Sequence, residues 1–164
     1  MDFMLKIVPR SFCLGGWIDK LYGLSAAGIP GDGRCLFRSI AHGACLRDGR
    51  PPPSSWYSLS ISQVADEFIR RRAESEWFVE GDFDSYVRRM RHPLTWGGEP
   101  ELLMSSHVLQ MPISVYMRDS SGNLNIIAEY GQEYGKENPI RVLYHGYGHY
   151  DALVSHSGGQ HFRW

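Results

Sequence analysis

Gly28-Ile29-Pro30-Gly31-Asp32-Gly33-Arg34-Cys35-Leu36-Phe37-Arg38 is the stretch on which the reading of this chain turns. Its first seven residues are dense in helix breakers and read as a turn. A helix starts directly after them. Leu36, Ile40, Gly43 and Ala44 recur at i, i+4, i+7 and i+8, the spacing of one buried helical stripe. Asp48-Gly49 should end it, with Gly49 as the left-handed cap. Cys35 therefore falls in the first turn of a helix, behind a glycine-rich loop. The free N–H groups and positive dipole end of a helix stabilise a thiolate there. The backbone N–H groups of Gly33, Arg34 and Cys35 can point at a developing oxyanion, and glycines let the backbone approach a carbonyl closely. The plainer reading is that Cys35 is a small core residue at a helix start, since free cysteine is often buried.

On either side the periodicity changes once. Downstream of Pro51-Pro52-Pro53, Ser60 and Gln63 form a capping-box signature. Ile61, Val64, Ala65, Phe68 and Ile69 follow as an apolar helical face. A shorter helix is predicted over 82–91, then a loop through Trp96-Gly97-Gly98, then a helix over 99–110 with Pro100 in its first turn. From there alternation takes over, giving strands over 113–118, 124–129, 140–145 and 149–154, the last two joined by a tight Gly146-Tyr147-Gly148 hairpin. Helices first and a meander of strands last make the class α+β. Residues 1–28 show no clear period and read as a leader, a short strand and a loop. Residues 29–154 form one domain, and 155–164 read as a flexible tail.

The composition agrees. A length of 164 residues fits one domain, and 43% hydrophobic with 21% charged residues is ordinary globular usage. The net charge of -1 argues against a basic nucleic-acid binder. Arg70-Arg71-Arg72 and Arg88-Arg89, with Arg91, sit among acids and read as solvated faces. No run approaches the ~18 apolar residues of a membrane span, and the N-terminus makes a poor secretory signal. Three cysteines without a Cys-x-x-Cys pair suit a reducing compartment such as the cytoplasm.

A thiolate nucleophile needs a base held by a third group. Of seven histidines, His149 stands out. It opens a strand, and Asp151 two residues later shares its face, where a carboxylate can hold the imidazole tautomer. Taken alone, this is a polar pair on a sheet face; beside Cys35 it reads as a base and its orienter. His145 and His149 are four apart, but the glycines and tyrosine between them indicate a hairpin, and no third ligand of convincing spacing accompanies them. No metal and no cofactor is expected.

The ordered motifs Asp32-Gly33-Arg34-Cys35-Leu36-Phe37-Arg38, Trp96-Gly97-Gly98-Glu99-Pro100-Glu101-Leu102 with the strand Pro112-Ile113-Ser114-Val115-Tyr116, and His149-Tyr150-Asp151 resemble the ovarian-tumour (OTU) family of cysteine proteases. The likeness covers about 29–154 and is greatest to the plant OTU-domain deubiquitinases. It implies a papain-like fold, a small mostly antiparallel sheet packed between helices, and a monomeric thiol hydrolase acting on ubiquitin or polyubiquitin conjugates. By motif, Cys35 is the nucleophile, His149 the base and then acid, and Asp151 the orienter. Asp32 matches an aspartate often counted as catalytic, while its physical role is to shape the oxyanion turn. Trp96, Gly97, Gly98 and Glu99 are expected near the substrate. Glu80, Asp82, Asp84, Glu99 and Glu101 are candidates for the arginines of the ubiquitin tail. The other reading is a ubiquitin-binding module of the same fold that has lost catalysis.

Overall fold

The computed structural model describes residues 23–51, 60–92 and 94–155. The expected tail lies outside these, apart from Ser155. Strand β1 (Leu24–Ala26) leads through a loop into α1 (Cys35–Arg47). Helices α2 (Ile61–Arg70), α3 (Arg72–Ser75), α4 (Phe83–Met90) and α5 (Glu99–Leu109) follow. The chain then runs through β2 (Ile113–Arg118), β3 (Leu124–Tyr130), β4 (Ile140–Tyr144) and β5 (Tyr150–Ser155).

Local signals account for the helices. Ser60 and Gln63 form both bonds of the capping box that starts α2. Asp82 accepts the Ser85 N–H at 2.8 Å and starts α4. Gln110, left-handed at φ 52°, ends α5. One expectation fails: Ile69 is exposed. The chain leaves α2 one residue later at Arg70, so Phe68 and not Ile69 meets the core.

The strands are not a simple meander. Their order is β1-β5-β4-β2-β3, and β4 runs parallel to β2 while every other pair is antiparallel. After the β2–β3 hairpin the chain crosses back and inserts β4 on the other side of β2. Strand β1 lies within residues 1–28, where a short strand is expected beside a leader and a loop, and pairs antiparallel with β5. Successive strand residues face opposite sides. Ile140, Val142, Tyr150 and Ala152 join Leu36, Ile40, Phe68 and Leu102 in the main core, while Leu143 and Leu153 meet Leu24 and Leu124 in a small cluster on the other face. Helix α1 lies on β4 and β5, pinned by the buried Ser39 hydroxyl, which donates to the Tyr150 carbonyl at 3.0 Å. That contact brings the start of α1 beside the start of β5.

Acids of the fold engage several arginines of the basic runs. Arg71 pairs with the buried Glu67 at 2.6 Å and Arg72 with Glu76 at 2.8 Å, while Arg91 reaches Asp66 at 2.5 Å. No described helix is long and apolar enough to cross a membrane.

Candidate active site

Cys35 is the first residue of α1, a position whose N–H has no partner inside the helix. The thiol is buried, and Sγ donates to the Gly148 carbonyl at 3.7 Å. Cys35 thus touches the residue that precedes His149. The His149 ring lies over Gly31, where a Cβ would stand 3.5 Å from Nδ1. Its other nitrogen, Nε2, faces Asp151 Oδ1 at 3.5 Å. The imidazole thus turns one nitrogen to the segment leading into Cys35 and the other to the carboxylate. Tyr150 points to the opposite face as a buried wall, and burial pushes its hydroxyl well above the ordinary range, so it stays neutral.

Asp151 is held from three sides. The Ile29 N–H donates to Oδ1 at 2.6 Å, and His145 Nε2 lies 2.9 Å from Oδ2. An ionised carboxylate only accepts, so His145 carries its proton on Nε2. Burial pushes the Asp151 carboxyl up, but the His145 and Ile29 hydrogen bonds and the two neighbouring imidazoles outweigh it and leave the group below its ordinary value. Contrary to the expectation from spacing, Asp151 accompanies His145 and His149 as a third donor group. The hairpin stacks the two rings with centroids 5.3 Å apart, and Asp151 stands between their nitrogens.

Asp32 sits on the turn before Cys35. Its Oδ1 accepts the Arg34 N–H at 3.2 Å, and its Oδ2 pairs with Arg38 at 2.5 Å. The Arg34 N–H is therefore engaged by Asp32, leaving those of Gly33 and Cys35 as the turn's other candidate oxyanion donors. Gly33 has φ +83°, which only glycine adopts without strain.

In the Trp96–Glu99 stretch the residues separate by role. The Trp96 indole lies against Gly33 through its Nε1 edge and against Gly148 through its six-membered ring. It bridges the turn before Cys35 and the turn before His149 and keeps much of its surface exposed. Gly97 packs on Leu36 and Phe37 of α1. The Gly98 N–H donates to Glu101 at 2.7 Å, and Glu99 opens α5. Glu101 is withdrawn from the candidates for a substrate arginine. It is 1% exposed, accepts from Gly98 and from the Tyr86 hydroxyl, and burial raises its carboxyl. Asp82 and Asp84 are likewise engaged, by the α4 cap and by Arg72 at 3.1 Å.

A buried cysteine at a helix start touches the residue before an imidazole that is backed by a carboxylate. The sequence profile of the OTU-like cysteine proteases matches residues 30–152. The chain belongs to this family. It is 66% identical over 138 residues to the Arabidopsis thaliana OVARIAN TUMOR DOMAIN-containing deubiquitinating enzyme 4, covering 80% of this chain but 44% of that enzyme. It is 34% identical over 151 residues to OTU domain-containing protein 2 of Saccharomyces cerevisiae, covering 87% of this chain and 47% of that protein. The chain thus spans less than half the length of these relatives. An Ovarian Tumor (OTU) domain solved in complex with ubiquitin superposes with a TM-score of 0.61 at 23% identity, covering 80% of this chain and 69% of that one. At that identity the likeness shows the fold.

Within this OTU-like protease, sequence reasoning missed the Ile29 N–H, the Gly148 carbonyl, the His145 ring and the bridging position of Trp96. Only His145 carried a signal, its place four residues before His149 across a glycine hairpin.

Proposed function

We propose that this domain is a thiol-dependent deubiquitinase that hydrolyses (iso)peptide bonds at the C-terminus of ubiquitin in conjugates. The observation that carries this reading is the seating of Cys35 Sγ against the Gly148 carbonyl, immediately before an imidazole backed by Asp151. His149 Nδ1 takes the thiol proton, and the thiolate attacks the carbonyl carbon of the C-terminal glycine. The oxyanion is met by N–H groups of the Gly33–Cys35 turn. His149 returns the proton to the leaving lysine amine, leaving a thioester. The imidazole then removes a proton from water, which adds to the thioester carbonyl, and collapse of the second tetrahedral species expels Cys35 Sγ and frees the ubiquitin carboxylate. Asp151 keeps the ring oriented and stabilises the imidazolium. The Trp96 ring forms one wall beside the scissile bond, where a flat aromatic suits a side-chain-free Gly-Gly tail. Free cysteines without a disulfide framework suit a reducing compartment such as the cytoplasm, which is the location proposed.

Ubiquitin bearing a C-terminal electrophile tests the reading. The wild-type domain should form a covalent adduct, and Cys35→Ala should form none while still binding ubiquitin. Reversible binding without an adduct in the wild type would show a binding module that has lost catalysis.

A further inference from the structure

The hairpin places a second imidazole where the hydrolytic chemistry does not require one. Asp151 already has His149 on one side and the Ile29 N–H to fix it. His145 occupies the other oxygen, so two histidines and one carboxylate converge on one small volume. One donor atom from each of His145, His149 and Asp151 lies within 4.8 Å of the others. Tetrahedral zinc, with bonds of ~2.0–2.2 Å to nitrogen and oxygen, holds its donors about 3.4 Å apart. His145 Nε2 lies 2.9 Å from Asp151 Oδ2 and His149 Nε2 3.5 Å from Oδ1, so the carboxylate turns one oxygen to each ring. The widest gap consistent with the cluster closes by roughly an ångström, within reach of a tetrahedral site. His145 follows β4 at the glycine hairpin and its side chain is 28% exposed, so its ring has room to move. The three groups are also the right donors for a borderline-soft divalent ion, two imidazoles and one anionic oxygen, with a fourth position open to water.

We propose that His145, His149 and Asp151 form an inhibitory zinc site on the carboxylate side of the base. The ion replaces the proton between His145 and Asp151 and binds His149 through Nε2. Coordination at Nε2 leaves the His149 proton on Nδ1, the nitrogen that must be bare to accept the thiol proton. Hydrolysis stops with the Cys35 sulfur unligated. This differs from ordinary metal poisoning of a thiol enzyme, in which the ion sits on the sulfur. The effect on hydrolysis rests on the function proposed above; the binding of the ion does not.

The test uses the whole chain. Zinc binding is measured by titration calorimetry on Cys35→Ala and on Cys35→Ala/His145→Gln, with folding of both checked by circular dichroism. Cobalt(II) serves as the optical probe. The expected result is one zinc per Cys35→Ala chain, at least about tenfold weaker binding after His145→Gln, and a cobalt spectrum in wild type without a sulfur-to-metal charge-transfer band. Zinc inhibition of wild-type ubiquitin hydrolysis, reversed by chelator, should weaken by the same factor in His145→Gln when each protein is normalised to its own metal-free rate. Loss of binding in Cys35→Ala, a thiolate charge-transfer band, or equal affinity after His145→Gln would overturn the site. A wild type that binds zinc as described but hydrolyses no ubiquitin substrate would sink the proposed function and leave the metal site standing.

Discussion

Asp32 and Asp151 each accept a backbone N–H beside the cleft, but one acts within its own turn and the other across the fold. Asp32 bonds Arg34, two residues on, and pairs with Arg38 one helical turn further, with its side chain 41% exposed. Asp151 bonds the N–H of Ile29, 122 residues away in sequence, and its side chain is 10% exposed. The first carboxylate shapes the loop it belongs to. The second joins the segment leading to Cys35 to the hairpin carrying His149. Removing a local device relaxes one turn, while removing a long-range one separates two parts of the site.

The largest expected effect is therefore at Asp151. Asp151→Asn should lower ubiquitin hydrolysis by on the order of 10²–10⁴, the range of a general base that loses its orientation. Steady-state assay of a fluorogenic ubiquitin substrate measures it, and a smaller loss than in Asp32→Ala would invert the comparison. Gly148→Ala comes next, at roughly 10². A Cβ there would lie 2.4 Å from the Trp96 ring, and φ is +81°. Adding Trp96→Ala should recover part of the loss; no recovery would mean that backbone strain at Gly148 dominates.

Asp32→Ala should cost about fivefold in rate, the equivalent of a lost capping interaction of ~1 kcal/mol. Its coupling with Arg38, read from a double-mutant cycle, should stay within ~0–1 kcal/mol because the pair is partly exposed. A coupling above ~2 kcal/mol would make Asp32 a structural anchor comparable with Asp151.

The smallest effect concerns stability against pH. Asp151 titrates below its unfolded value, so its contribution is present above ~3.9 and is lost as pH falls through the folded value. Wild type should exceed Asp151→Asn by about 1–3 kcal/mol at neutral pH. In denaturant titrations that gap should narrow below pH ~4. A gap independent of pH would mean that the stability lost in Asp151→Asn does not come from the ionised carboxylate.

Local chemistry was readable without coordinates. The Ser60–Gln63 box, the stripe of α1 and the shared face of His149 and Asp151 are written at separations of two to eight residues, and so are the strands of the last third. Buried acids were misread for lack of that locality. Glu101 looked like a surface carboxylate, and only the packing of α4 against α5 puts Tyr86 over it.

The sequence by itself determined which residues could do thiol chemistry, because a glycine turn, a helix start and a strand alternation each impose geometry on near neighbours. Tertiary structure decided how those residues meet. The parallel pairing of β4 with β2, the seating of Gly148 on Cys35, the reach of Asp151 to Ile29 and the wedge of Trp96 between two turns each join distant segments. Such contacts depend on which surfaces the collapsed chain brings together, and no spacing along the chain encodes them.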